Sequence, residues 1–233
     1  MALTLHFHPL SSHCHKVLIA LYELGTPFQP RVLDLGDAQQ RAAFLALWPT
    51  GKMPLLQDGD RVVPETTVIV EYLTQHHAPA GQTLLPADAQ EALEVRLMDR
   101  LVDLYVMHPM QAIVADRLRA EAGRDPIAVA KARETLAMAY GLLEQRLADP
   151  QAGERAWIAG PQFSLADCTA APSLFYATTL VALGPRHPRL AAYFERLLAR
   201  PAVARVIDEA RPFFQYYPYR EALPARFYTP EAR

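Results

Sequence analysis

Along the first eighty residues, short apolar runs alternate with stretches whose apolar positions recur every three or four residues. "ALTLHF" (2–7) reads as a strand. A helix should start near Ser12, where a serine hydroxyl can cap free backbone N–H groups. Val17, Leu18, Leu21 and Leu24 follow at helical spacing, and Gly25 then Pro27 stop it. "FQPRVLDL" (28–35) reads as a second strand, and "DAQQRAAFLALW" (37–48) as a short helix ended by Pro49. "MPLLQ" and "RVV" flank Asp58-Gly59-Asp60, and Asp-Gly between apolar runs signals a hairpin. "ETTVIVEYLTQHH" (65–77) reads as a helix. The order β-α-β-α-β-β-α predicts two parallel-type crossovers and then an antiparallel hairpin, in a four-stranded mixed sheet with helices on its faces.

The rhythm then changes. "APAGQTLLPAD" (78–88) is a Pro/Gly/Ala stretch, and strand signals nearly vanish after it. We therefore divide the chain into a domain over 1–80, a linker over 81–88 and an all-helical domain over 89–233. The segment 89–122 is one long amphipathic pattern with a kink expected at Pro109; 127–149 repeats the pattern. "SLADCTAAPSLFYATTLVAL" (164–183) is apolar nearly all round, which predicts a buried central helix. Its start sets Asp167 three residues after Ser164, an arrangement like a capping box, so Asp167 reads as structural. Shorter helices follow near 188–199 and 201–210, before an aromatic tail, "PFFQYYPYREALPARFYTP" (212–230).

Composition narrows the function. Apolar residues are 51% of the chain and charged residues 21%, enough for a sizeable core. A formal charge of −2 gives no electrostatic reason to expect nucleic acid or an anionic membrane as partner. No run approaches the ~18 apolar residues of a membrane span, and the N-terminus lacks the basic and apolar segments of a signal peptide. Cys14 and Cys168 are too far apart for a CxxC pair, so the expected setting is a reducing cytoplasm. No GxSxG, GxGxxG, P-loop or HExxH pattern occurs. His6 and His8 share one face of a strand, near His13 and His15. Zinc signatures repeat paired ligands at tighter spacing, so we expect no metal and read these histidines as polar residues beside a cleft.

Three segments carry chemistry as a set: "LSSHCHKVLIALYELG" (10–25), "WPTGKMPLL" (48–56) and "PETTVIVEYL" (64–73). In this order and spacing they resemble the glutathione-binding domain of cytosolic glutathione S-transferases, and the helical half with "SLADCTAAP" resembles that family's C-terminal domain. The resemblance covers almost the whole chain. It implies a thioredoxin-like N-terminal domain followed by an all-helical one, glutathione as co-substrate, and a hydrophobic electrophile as second substrate. A homodimer pairing through 89–122 is implied too, with Asp99 or Asp103 either reaching toward the neighbouring glutathione or forming a solvated acidic face.

Residue by residue, Met53-Pro54 resembles the family's residue-plus-cis-proline element. A cis bond there would turn the Met53 N–H and C=O toward the cysteinyl unit of glutathione as an added strand would. Glu65 would face its ammonium, Thr66 would hold the γ-glutamyl carboxylate at a helix start, and Lys52 would face the glycyl carboxylate. Ser11 falls where serine-type classes (theta- and zeta-like, of bacterial kind) carry their active hydroxyl. Its neighbour Ser12 is expected to cap the helix and stand in the glutathione site. Phe213, Phe214, Tyr216, Tyr217, Tyr219, Tyr105, Met107 and Met110 are candidates for the second pocket. The alternative activities on this fold are glutathione-dependent reduction, isomerisation or ether cleavage, for instance through Cys14, or a non-enzymatic binding role.

Overall fold

Apolar alternation puts Leu3, Leu5 and Phe7 on the buried side of β1 (Leu3–Phe7), and the rest of the N-terminal sheet forms around that strand. The other strands are β2 (Phe28–Val32), β3 (Leu55–Asp58) and β4 (Arg61–Val63), in the order β2-β1-β3-β4. The computed structural model describes residues 3–148 and 156–228. Ala2, Asp149 and the Thr229-Pro230 end of the aromatic tail lie outside these described residues. β1 runs parallel to β2, with Leu3 opposite Phe28, and antiparallel to β3, with Leu5 opposite Leu56.

One expectation needs correcting here. Only the first crossover is parallel; the second returns β3 antiparallel to β1. The reversal lies in residues 48–54, where Gly51 takes φ +64 and the Met53–Pro54 peptide is cis. Apolar runs tell where strands are, but not which way the connecting loop sends them.

Helix α1 (Ser12–Glu23) is apolar because it is covered on all sides. Cys14, Val17, Leu18, Ile19, Ala20 and Leu21 are buried, and the helix packs against α3 (Thr66–His76) within its own domain. Its other face meets α7 (Leu165–Leu180) and α9 (Pro201–Ala210) of the helical domain. α2 (Ala38–Leu47) begins at Asp37, whose carboxylate accepts the Gln39 and Gln40 N–H groups.

The helical half contains α4 (Ala89–Val102), α5 (His108–Leu118), α6 (Pro126–Ala148), α7, α8 (Pro188–Leu198), α9 and the short α10 (Ala225–Tyr228). Between α4 and α5 the chain makes a wide π-helical turn, Asp103–Met107. The kink expected at Pro109 is thus a widened turn just ahead of it. A proline has no N–H for the carbonyl four residues back and its ring crowds that carbonyl; here the His108 N–H reaches Asp103, five residues back. Among the described residues, no helix is long and apolar enough to cross a membrane.

α7 is the buried central helix. Its first turn is held by Asp167, which is fully buried and takes four hydrogen bonds. These come from the Ser164 N–H (2.9 Å), the Ser164 hydroxyl (3.0 Å), the Ile158 N–H (3.1 Å) and the Tyr193 hydroxyl (2.6 Å). Burial pushes the Asp167 carboxyl above the usual carboxylate range, against the pull of those donors.

Candidate active site

The four residues joining β1 to α1 form a closed turn. The Ser11 N–H donates to the His8 carbonyl at 3.0 Å, and the Leu10 N–H donates to His8 Nδ1 at 3.1 Å. Ser11 itself has extended backbone (φ −81, ψ 119) and is the N-cap of α1, its hydroxyl oxygen accepting the Cys14 N–H at 3.4 Å. This corrects the assignment of the cap to Ser12. Ser12 is the first helical residue; its hydroxyl is buried and accepts a hydrogen bond from Gln111 Nε2 of α5. Two adjacent serines both suit a helix start, and which one caps depends on where β1 ends.

The turn opens onto a cleft of about 810 Å³ between the two domains. Ser11, Ser12 and Met53 line it on the sheet side. Met110, Gln111 and Tyr176 line the helical side, where the tail contributes Phe213, Tyr216 and Tyr217. Phe214 instead stacks on Phe175 in the core, and Met107 is fully buried. Tyr105 and Tyr219 are likewise absent from the cleft wall. The tail is tied to α7, where the Tyr217 and Thr179 hydroxyls lie 2.8 Å apart, and α7 is tied to the turn before α1 by the Tyr176 hydroxyl, which donates to the Leu10 carbonyl at 3.0 Å.

Cys14 faces the core and is fully buried. Burial pushes its thiol up to about 12, although Ser11 and the backbone of His8 act to lower it. The histidines scatter. His6 meets Gln57, and the His15 ring bonds the Pro9 carbonyl, with burial pushing it down to about 4. Among the described residues, no three His, Cys, Asp or Glu side chains gather as a metal site requires.

Glu65, Thr66 and Lys52 lie outside the cleft lining. Glu65 precedes α3 with φ +67, a conformation that non-glycine residues rarely hold without a compensating reason, and its side chain makes no capping bond. Glu65 and Lys52 are exposed, and Thr66 opens α3. The charges of Glu65, Lys52 and Asp103 all reach His13 on α1, whose burial lowers its pKa below the ordinary histidine value.

A polar cluster that the sequence did not suggest lies behind this surface. Lys16 Nζ, fully buried, donates to Asp99 at 2.7 Å and to the Thr67 hydroxyl at 2.8 Å. The Thr67 hydroxyl donates to the other Asp99 oxygen at 2.7 Å, and the Thr169 hydroxyl also donates to Asp99. One buried ion pair thus ties α1, α3, α4 and α7 together. Asp99 is therefore not free to reach a neighbouring subunit, a correction to its expected position. Asp103 instead pairs with Arg100 at 2.9 Å. The available signal was one lysine at the head of an otherwise apolar helix, but its partner stands 83 residues away.

Comparisons with known proteins agree in kind. Residues 5–81 match a family described as "Glutathione S-transferase, N-terminal domain", and residues 117–196 match "Glutathione S-transferase, C-terminal domain". Glutathione S-transferase 3 of Zea mays is 34% identical over 219 residues, 88% of this chain and 93% of its own length. A glutathione S-transferase of Pseudomonas putida is 32% identical over 166 residues, 71% of this chain and 70% of its own. The crystal structure of a glutathione S-transferase from Methylobacterium radiotolerans, in complex with glutathione sulfonate, is 28% identical. It superposes with a TM-score of 0.75 over 88% of this chain and 94% of that one.

Proposed function

Because the chain belongs to the glutathione S-transferase family and is an enzyme of it, we propose that it works by a serine mechanism, with Ser11 stabilising the thiolate of bound glutathione. The observation carrying this reading is the contrast at the head of α1. Ser11 caps the helix and faces the cleft, while Cys14 one turn on is buried with its thiol pushed up. Among the described residues, no carbonyl or carboxylate takes the Ser11 O–H, and its side-chain neighbour Cys14 is a thiol that burial keeps protonated. The hydroxyl can therefore donate to a sulfur anion.

The energies suffice. Lowering a thiol pKa by about two units needs ~2.7 kcal/mol. A hydrogen bond to a charged group supplies ~1.5–3 kcal/mol, and the positive end of a helix adds ~0.3–1 kcal/mol. No general base is required.

In this reading glutathione lies across the sheet edge. Met53, which lines the cleft, pairs its backbone with the cysteinyl unit. Thr66 at the head of α3 and Glu65 beside it hold the γ-glutamyl end, and Lys52 holds the glycyl carboxylate. Ser12 contributes its backbone N–H at the helix start, its hydroxyl being buried against Gln111. A hydrophobic electrophile occupies the side walled by Met110, Tyr176 and the aromatic tail. This reading places the chain among serine-type classes, acting in a cytoplasmic setting. Exposed Val68, Leu93, Leu97 and Leu104 on α3, α4 and the π turn support a twofold homodimer. Light scattering at twice the 26.0 kDa of the chain would support it, and 26.0 kDa would reject it.

The test of the mechanism is the pH–rate profile of Ser11→Ala and Ser11→Cys with one simple electrophile. Ser11→Cys places a thiol at a helix N-terminus, where it is acidified. That change should trade conjugation for thiol transfer through a mixed disulfide with glutathione.

A further inference from the structure

The cleft holds a second polar group that thiolate stabilisation leaves unused, the imidazole of His8. One hydrogen bond fixes its tautomer. The Leu10 N–H donates to Nδ1 at 3.1 Å, and a ring nitrogen that accepts carries no proton. Neutral His8 therefore carries its proton on Nε2. Burial holds the ring's pKa below the ordinary histidine value, with Asp34 pulling the other way. Among the described residues, no hydrogen bond uses Nε2.

The ring is also held in place. It stands edge-on to Phe213, with centroids 5.3 Å apart and planes at 77°. The His8 carbonyl accepts the Ser11 N–H, so imidazole and serine hydroxyl hang on one closed turn. Both line the same cleft. A fixed N–H donor beside a thiolate site and an aromatic wall is the arrangement needed where an electrophile gains charge during attack.

We propose that His8 is a catalytic donor to the second substrate, its Nε2–H hydrogen-bonding an oxygen of the electrophile that becomes negative as sulfur attacks. The favoured substrate class is then an α,β-unsaturated carbonyl compound whose chain or ring rests against Phe213 and Tyr216. The proposal rests on the reading of Ser11 as the thiolate's partner. In the step, a sulfur electron pair forms the C–S bond at the β-carbon. The alkene π pair moves to the bond between the α-carbon and the carbonyl carbon, and the carbonyl π pair moves to oxygen. The enolate oxygen accepts from Nε2–H. Water then protonates the α-carbon, replacing the proton that the thiol released to solvent. The sum is addition of the thiol across the alkene, with no oxidant or reductant.

The experiment compares two electrophiles on the full chain at saturating glutathione: trans-2-hexenal, which develops an enolate, and benzyl chloride, which releases chloride and develops none. His8→Phe keeps a ring against Phe213 and removes the donor. It should lower kcat with the enal about 10- to 150-fold, the rate equivalent of one hydrogen bond to a charged oxygen, and with benzyl chloride less than about threefold, leaving the Kd of glutathione unchanged. His8→Gln, whose amide can donate, should recover part of the enal rate. Should His8→Phe not fold, His8→Met carries the same expectation. Equal losses on the two electrophiles, or an undiminished enal rate, would overturn the assignment of His8 alone. A wild-type enzyme inert to both would overturn the thiolate reading and this proposal with it.

Discussion

Two serines begin helices in this protein and serve opposite ends. At the head of α7, Ser164 gives both its N–H and its hydroxyl to Asp167, and the carboxylate also takes the Ile158 N–H and the Tyr193 hydroxyl. These donors and acceptors satisfy one another inside the core. At the head of α1, Ser11 accepts one long bond from the Cys14 N–H and turns toward the cleft. A cap whose hydrogen bonds close on themselves can only stabilise. A cap with a donor left over can bind. The difference lies not in the serine but in its third neighbour: Asp167 beyond Ser164, and Cys14 beyond Ser11.

The largest effect should come from opening the closed cap. Lost capping alone costs ~0.5–2 kcal/mol. Asp167→Ala would also strand the buried hydroxyl donors of Ser164 and Tyr193, each ~1–3 kcal/mol. We expect a loss near 3–5 kcal/mol in urea unfolding, with glutathione affinity of the folded fraction unchanged. Native stability with weakened binding would move Asp167 into the site and erase the contrast.

Next comes the open cap. Ser11→Ala should cut conjugation at neutral pH about 10- to 150-fold, the rate equivalent of one ~1.5–3 kcal/mol charge-assisted bond. The sign with pH follows from the thiol. Without Ser11 the glutathione pKa rises, so the deficit is full below it and shrinks as pH climbs through it. Unfolding stability should fall by no more than ~1 kcal/mol, because the bond lost is a single long one. A deficit that stayed constant with pH would rule out thiolate stabilisation.

These two caps differ in how far the sequence revealed them. The Ser164–Asp167 pair was legible because both partners fall within four residues. So were the strands and most helices, whose apolar periods are local. The direction of β3 was not, because it depends on the backbone course through 48–54. The choice between Ser11 and Ser12 turned on one residue of register at the end of β1. Lys16 and Asp99 were out of reach for another reason: Lys16 is a charge in a mostly apolar helix and Asp99 one of several charges on the amphipathic α4, and nothing in either segment marks them as partners. The resemblance to glutathione S-transferases supplied Glu65, while its φ of +67 came from the structure.

Glu65 stands at a third helix start, with no capping bond and strained backbone. If the charge is there for the glutathione ammonium, Glu65→Gln should weaken glutathione binding about tenfold, ~1.4 kcal/mol, with stability unchanged. Glu65→Gly should do the same to binding while raising stability by up to ~1 kcal/mol, because glycine holds positive φ without penalty. Calorimetric titration beside urea unfolding reads both. Equal affinity in Glu65→Gln would free this position from any role in recognition.

The smallest effect is expected one turn beyond Ser11, and it decides between hydroxyl and thiol. Cys14 gives its N–H to Ser11, yet its side chain lies in the core, and burial pushes the thiol up to about 12. At neutral pH such a thiol is almost wholly protonated, and the thiolate is the reactive form. Cys14→Ala should therefore keep conjugation within about threefold. Its cost should appear in stability instead, about 1 kcal/mol for a small buried side chain replaced by a slightly smaller one. The backbone N–H that Ser11 caps survives the substitution, so the serine keeps its orientation. A Cys14→Ala enzyme that folds but is dead, beside a Ser11→Ala enzyme of normal rate, would reverse the reading of the α1 head: the open cap would be structural and the buried thiol the chemistry.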